Sequence, residues 1–362
     1  MSGGVDSSVA AALLKKSDFA VQGLFVFFTH SNQTKASHTS AQKVADILNI
    51  KLNTLDLSKN FEKEIIQDFI SAYKSGNTPN PCIRCNKYFK FGKLLDYAQE
   101  KSFDYLATGH YSRIVAPAFR PDSSQPKLGA TKKYKLITAR DKTKDQSYFL
   151  YNLTQDILPH ILFPLGNYLK SEVKKMAKKM NLPVHASKES SDVCFIPNQN
   201  TQKFLQEKIL AQSGDILNTS GEKIGTHTGL PFYTLGQRQG INIGGTGPYY
   251  VISKNFKDNT LIVTNDKNDP KLYSKKIIVK DIHWFSGQEP KLPLKCLAQH
   301  RYQSKLFRVE IIKEKNNYVD IYVVKTKKPQ RAITPGQSIV FYKPLRRFFN
   351  SDFEVLGGGI IN

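Results

Sequence analysis

Two stretches of the chain combine residue types and spacings that can do chemistry. The first is SGNTPNPCIRCNKYFKFG, residues 75–92, where Cys82 and Cys85 stand at Cys-x-x-Cys spacing. A Pro-rich turn precedes them and a basic, aromatic segment follows. That spacing serves half of a zinc site, a dithiol redox pair, or thiol chemistry on a substrate. A redox pair belongs at the start of a helix in a thioredoxin-like unit, whereas this one lies mid-domain. Structural zinc needs two more ligands at matched spacing, and Cys194 and Cys296 stand apart, with no second Cys-x-x-Cys and no His-x-x-x-His. Thiol chemistry is what remains for the pair. Cys194, in ESSDVCFIP (189–197), has small polar residues before it and an apolar turn after it. A lone cysteine is most often a small buried hydrophobe, which is the reading given to Cys296 and which stays open for Cys194.

The second stretch is MSGGVDSSVAAALLKK, at the start. Gly3 and Gly4 let the backbone approach a ligand, and Ser2, Ser7 and Ser8 supply hydroxyls. Val9 and Leu13 begin a helix whose first N–H groups face the loop, an anion-binding arrangement. It is not a Walker loop, because no lysine follows the second glycine at the required spacing.

The elements that must position these groups alternate. VQGLFVFF (21–28) is a continuous apolar run of the kind found in buried parallel strands. A polar loop, THSNQTKASHT, follows. SAQKVADILN then places Val44, Ile47 and Leu48 on one helical face, and LNTLDL is a second strand. Ser58 is expected to cap a helix in which Phe61, Ile65, Ile66, Phe69, Ile70 and Tyr73 recur at helical spacing. FDYLATGH (103–110) ends a third strand, and LKSEVKKMAKKM is a further amphipathic helix with Ser171 as N-cap. This is the pattern of an α/β fold with a doubly wound, mostly parallel sheet, which binds ligands at the carboxyl ends of its strands. Beyond about residue 200 Gly-rich turns interrupt short strands. From about 275 the pattern is all β, with Asn316-Asn317 as a hairpin turn, and reads as an antiparallel barrel. The domains expected are 1–200, a small central one at 201–274, and the barrel at 275–362. Trp284 is read as a core residue.

Composition narrows the classes. The 362 residues suffice for two or three cores, and four cysteines are too few for a disulfide scaffold. No apolar run is long enough to span a bilayer, and no signal peptide is apparent, so a cytoplasmic location is expected. Fifty-three basic residues against 30 acidic ones leave a net charge of +23, a field that concentrates polyanions such as nucleic acid. An AT-rich genome would also enrich Lys and Asn.

The string SGGVDSS resembles the pyrophosphate loop of the N-type ATP pyrophosphatases, which cleave ATP between the α and β phosphates and adenylate a carbonyl oxygen. The resemblance places Ser2, Gly3, Gly4, Val5, Asp6 and Ser7 at the phosphates of ATP, with Asp6 positioning Mg2+ or the loop. In such folds the loop follows the first strand. Here it begins at once, and the expectation is that a first strand is missing through N-terminal truncation.

NTPNPCIRCNKYFKFG, YLATGHYSR, KDQSYFLY, SSDVCFIP, LPFYTLGQRQGI, TPGQSIVFY and VLGGGII occur in the order seen in the bacterial tRNA-specific 2-thiouridylases. On these motifs, which run from Ser2 to the C-terminus, the chain is identified as a member of that family. Membership implies ATP-dependent adenylation of the C2 oxygen of the wobble uridine, then sulfur transfer to give 2-thiouridine, AMP and pyrophosphate. It implies that Cys194 carries a persulfide and that Cys85 is the second catalytic cysteine, which forms a disulfide with it. Cys82 stands where some members carry an Asp proposed as general acid/base, so its proton-transfer role is in doubt. Val26 and Gly109 match ATP contacts. Asn80, Pro81, Cys82, His110, Lys144, Asp145, Gln146, Arg301, Tyr302 and Gln337 match tRNA contacts. The implied partners are tRNAs for lysine, glutamate and glutamine and a sulfur-donor protein, with the enzyme itself a monomer. No metal ligands are assigned; Cys82, Cys85 and Cys194 offer three ligands for an iron–sulfur cluster, a reading not favoured. PLRRFFN (344–350) looks like an added hairpin extension. Two alternatives remain: a pyrophosphatase-type ligase acting on a small molecule, which needs neither the cysteines nor the basic C-terminal half, and a non-catalytic zinc-knuckle RNA-binding protein.

Overall fold

The computed structural model describes residues 1–116, 133–184, 193–241, 243–244, 247–316, 319–345 and 352–362. Its N-terminal part alternates helices with short strands: β1 (Gly23–Phe27), β2 (Leu52–Asp56), β3 (Leu106–Ala107), β4 (Ser112–Val115), β5 (Lys135–Thr138) and β6 (Ile161–Leu162). β1 runs parallel to β2, and β3 parallel to β6. The apolar side chains recurring along helix 58–74 are all buried. They form its core face, as their spacing requires.

Local signals place the helix starts differently from the sequence reading. The polar stretch read as a loop after β1 is instead the first half of helix Asn32–Ile47, where Ser31 accepts the Thr34 N–H at 3.1 Å as N-cap. That helix buries only Ala41, Val44 and Ala45, leaving Ile47 exposed. Its narrow apolar stripe is why its beginning looked like loop. Ser58 does not cap its helix. Asp56 does, accepting the Ser58 N–H at 2.9 Å and hydroxyl at 2.7 Å. Nor does Ser171: the N-cap is Leu169, two residues earlier, and Glu172 accepts its N–H at 2.7 Å as helix Lys170–Lys179 begins.

A central unit follows: helix Thr201–Lys208, then β7 (Gly214–Leu217), β8 (Lys223–His227), β9 (Tyr250–Asn255) and β10 (Thr260–Thr264), in spatial order β8-β7-β10-β9. Its core is not separate. Ile216, Val251, Leu261 and Val263 pack in one cluster with Phe61, Ile65, Phe69, Phe195 and Phe204.

The C-terminal strands are β11 (Tyr273–Trp284), β12 (Leu294–Gln299), β13 (Phe307–Asn316), β14 (Val319–Arg331), β15 (Ser338–Pro344) and β16 (Phe353–Ile361). They pair in the order β11-β14-β13-β12-β15-β16, and β16 returns to β11, with Val279 opposite Ile361. The result is a closed six-stranded antiparallel barrel, which leaves no free sheet edge within it. Ile277, Val279, Ile311, Ile339 and Phe341 fill it, Trp284 stacks on Phe341 at 5.9 Å, and Cys296 packs half-buried against them. Asn316 opposes Val319 at the β13/β14 hairpin. Its turn residue Asn317 and residues 346–350 of the expected extension lie outside the described residues.

Candidate functional site

The Gly-Ser loop is tied by its own hydroxyls. Ser7 Oγ accepts the Ser2 N–H at 3.0 Å, and the Ser8 hydroxyl donates to Gly4 O at 2.8 Å. Gly3 has φ +73, and a Cβ there would sit 2.2 Å from Ser37 O, so only glycine fits. The loop leads into helix Val5–Lys16. On its other side Gly109 closes in: a Cβ at Gly109 would lie 2.9 Å from the Asp6 carbonyl carbon and 3.0 Å from Ser7 N. Val26 lies half-buried toward the carboxyl end of β1.

Asp6 faces inward. The Lys170 ammonium donates to both its carboxylate oxygens, at 2.6 and 2.7 Å, and the Tyr111 hydroxyl donates to Oδ1 at 2.8 Å. Tyr111 is in turn held by Gln146, whose Oε1 accepts the Tyr111 N–H at 3.0 Å. Lys170 and Tyr111 were not singled out from the sequence. Nothing in LKSEVKKM distinguishes the first lysine from the others until the fold places it against the loop.

The thiols gather around helix 81–100. Asn80 caps it, its Oδ1 accepting the Cys82 N–H at 3.2 Å, and Pro81 occupies the first turn, where its missing N–H costs nothing. Cys82 is half-buried and Cys85 buried. From Cys85 to Lys93 the helix widens into π-helical turns. Cys194 sits in a turn closed by Ile196 N–H donating to Val193 O at 3.1 Å. The next residue, Phe195, anchors that turn among Phe61, Phe69 and Phe204 at ring distances of 5.4–5.8 Å.

The three thiols share one electrostatic environment. Burial pushes Cys82 up to about 11 and the negative charge of Cys194 adds to this, while the Lys90 ammonium opposes it. Burial pushes Cys85 up to about 12, against Lys90, with Cys194 and Cys82 adding to the rise. Cys194 is exposed as a residue, yet the protein crowding its sulfur still raises the thiol, again against Lys90. Lys90 is thus the cation whose charge acts on all three. His110 belongs to the same group. It is buried, hydrogen-bonded to the Thr108 hydroxyl at 2.8 Å, and held neutral first by burial and then by Lys90. The ATGH tip thus joins the halves of the site, Gly109 against the Gly-Ser loop and His110 within the field of the lysine that acts on the thiols. Among the described residues no three His, Cys, Asp or Glu side chains come together as a metal set.

Comparison with known proteins matches residues 1–198 to a tRNA methyl transferase HUP domain, 202–265 to a tRNA methyl transferase PRC-barrel domain, and 274–361 to an aminomethyltransferase beta-barrel domain. A tRNA-specific 2-thiouridylase MnmA of Legionella pneumophila is 41% identical over 354 residues, covering 95% of this chain and 94% of its own. The proteins of that name in Buchnera aphidicola and Coxiella burnetii are each 39% identical over the whole of this chain, covering 95% and 96% of their own. The chain belongs to this family.

The positions that the family resemblance assigned to tRNA fall into two groups. One encircles the thiol segment where the three units meet. Thr78 O accepts from Gln337 Nε2 at 2.8 Å, Thr78 N–H donates to Pro335 O at 2.9 Å, and the Thr78 and Thr234 hydroxyls lie 3.1 Å apart. The Arg301 guanidinium bridges Leu235 O, Ala332 O and the Thr334 hydroxyl at 3.0–3.3 Å. Thr234, Leu235, Gln237, Arg301 and Gln337 line a cleft of about 300 Å³ at this junction. The other group is tied into the fold. The Asp145 carboxylate accepts from Ala139 N–H and the Ser147 hydroxyl, both at 2.6 Å, and burial raises it to about 6. Tyr302 packs on Phe149 at 4.4 Å, and Lys144 N–H donates to Asp141 O at 3.2 Å. Lys90, like Lys170 and Tyr111, is a site residue that sequence reasoning missed, although it lies within the quoted segment.

Proposed function

We propose that this chain is a tRNA-uridine 2-sulfurtransferase that activates C2 of the wobble uridine with ATP and replaces its oxygen with sulfur. The observation that supports the reading is the tip of residues 108–110, where Gly109 backs onto the Gly-Ser loop and buried His110 feels the charge of Lys90, which also acts on the three thiols. An amide-like carbonyl oxygen leaves poorly, so activation and sulfur delivery must meet at one atom. The loop N–H groups and hydroxyls hold the phosphates of ATP, and the uridine O2 attacks the α-phosphorus, expelling pyrophosphate. The terminal sulfur of a Cys194 persulfide attacks C2, and the C2–O bond breaks as AMP leaves with the oxygen. The Cys85 thiolate then attacks Cys194 Sγ. The bond to the transferred sulfur breaks, leaving its electron pair on the 2-thiouridine, and a Cys85–Cys194 disulfide forms. An external dithiol reduces that disulfide.

Mg2+ arrives with the triphosphate and neutralises its charge. Asp6, saturated by Lys170, positions the loop. No step of this reading runs through an iron–sulfur cluster. Neutral His110 and Cys82, with Asn80 and Pro81, border the splayed base. In this reading Lys144, Arg301, Tyr302 and Gln337 lie toward the anticodon arm, a single-stranded loop of the kind that sequence-specific RNA recognition favours, while Asp145 and Gln146 act from behind by holding that segment in place. The thiol set favours sulfur transfer over the methyl transfer named in two of the matching domain descriptions. A sulfur-donor protein loads Cys194, and the enzyme works as a cytoplasmic monomer. No helix among the described residues is long and apolar enough to cross a membrane.

The test incubates the protein with unmodified tRNA, ATP–Mg2+, a dithiol reductant and a sulfane-sulfur donor, a cysteine desulfurase charged with cysteine, so that Cys194 is loaded by persulfide exchange. Wild type yields 2-thiouridine and Cys194→Ser does not; equal product from both would sink the persulfide assignment.

A further inference from the structure

Three lysines of helix 81–100 differ in what they touch. Lys87 lies over the Tyr88 ring at 5.3 Å, and Lys93 pairs with Glu64 at 3.3 Å. Lys90, half-buried between them, has no carboxylate partner among the described residues. The backbone explains where it points instead. In an α-helix a residue five positions on lies about 140° round the axis from the first, on a different face. The i→i+5 turns between Cys85 and Lys93 widen the helix and bring the fifth residue back toward the face of the first. Lys90 is the fifth residue after Cys85.

We propose that Lys90 is the cation that holds sulfur in anionic form at this site, its ammonium swung by the π-turn onto the Cys85 face toward Cys82 and Cys194. The titratable groups on which its charge acts are those three thiols and the neutral His110 on the neighbouring strand tip. With no carboxylate competing for it, its full charge is available to a thiolate or persulfide anion. A burial that raises every thiol of the site would otherwise suppress the nucleophile. The inference deepens the sulfur-transfer reading and rests on it for the anion that Lys90 serves in turnover; the electrostatic arrangement itself is tested without turnover.

The experiment compares wild type with Lys90→Met, Lys90→Arg and, as a same-helix control, Lys87→Met. First, the free enzyme is alkylated with iodoacetamide from pH 7 to 10, and modification of Cys85 and Cys194 is followed by mass spectrometry. Lys90→Met moves both pH profiles toward higher pH, and a rise of about one pH unit slows alkylation near pH 8 roughly tenfold. Lys90→Arg restores most of the rate and Lys87→Met matches wild type. Unchanged profiles in Lys90→Met, with its hydrogen-exchange pattern intact, overturn the proposal whatever the enzyme's substrate. Second, in the thiolation assay Lys90→Met lowers kcat with the KM for ATP and tRNA unchanged, while pyrophosphate release in the first turnover persists. Loss of pyrophosphate release would mean that Lys90 serves the nucleotide and would also overturn the proposal. Wild type that alkylates as described but thiolates no tRNA refutes the function and leaves the Lys90 arrangement standing.

Discussion

The Asp6–Lys170 pair links the Gly-Ser loop to helix Lys170–Lys179, and its two ends are unequally buried. The Lys170 side chain is 11% exposed and that of Asp6 35%. Replacing Asp6 by Asn leaves an ammonium with no counter-charge in a site that water barely reaches. Breaking a buried pair from one side costs about 3–5 kcal/mol, and the partial exposure of Asp6 argues for the lower figure, about 3 kcal/mol. Lys170→Met strands Asp6 instead, but that carboxylate is a third exposed and keeps the Tyr111 hydroxyl, so about 1–2 kcal/mol is expected. In Asp6→Asn/Lys170→Met both charges are gone, and the double variant is more stable than Asp6→Asn alone, a coupling of about 2 kcal/mol. The assay is hydrogen exchange of the ligand-free protein, followed by mass spectrometry on peptides from helix Val5–Lys16. A local loss of about 3 kcal/mol speeds exchange there ~150-fold, and 1–2 kcal/mol speeds it roughly 5- to 30-fold. Equal acceleration in the two single variants, with an additive double, would refute the reasoning that unequal burial sets the cost.

Three further outcomes are expected. Gly109→Ala drives a Cβ to 2.9 Å from the Asp6 backbone, so the KM for ATP rises about tenfold or more while tRNA binding measured by filter retention is unchanged. Gly336 has φ +87 and a Cβ there would meet Asn77 Cβ and Thr78 N at 2.9 Å; Gly336→Ala therefore loosens the contact between the barrel and the thiol segment, and proteolysis between residues 77 and 81 accelerates. Asp145 titrates near 6 in the folded chain against an ordinary value of 3.8, so the folded state holds this proton more tightly than the unfolded. Its contribution is present below pH 4 and lost as pH rises through 6, a change of up to about 3 kcal/mol. Asp145→Asn removes that slope from the difference between the two urea-denaturation profiles, and identical pH dependence in both proteins would count against the buried carboxyl.

The order of elements was legible because burial writes a period into a chain. The apolar face of helix 58–74 and the alternation of β13 and β14 follow from which side meets the core. Helix starts were less legible, since Ser31, Asp56 and Glu172 are capping acceptors whose roles depend on backbone angles rather than on residue type alone. Cys82, Cys85 and the Gly-Ser loop could be nominated from local strings, because their chemistry is carried by residue type and short spacing; Cys194, with no partner nearby in the chain, was assigned only through the family resemblance.

What the amino-acid sequence determined by itself was the inventory: an anion loop, a Cys-x-x-Cys, a third thiol far along the chain, and a basic, strand-rich C-terminal half. Tertiary structure alone decided which groups face one another. Lys170 saturates Asp6 across more than a hundred and sixty residues, Gly109 backs onto the loop, and Thr78 is held by both later units. A change of helical winding turns Lys90 toward the thiols. Electrostatic energy depends on through-space distance and on burial, and neither is written in any local stretch of residues.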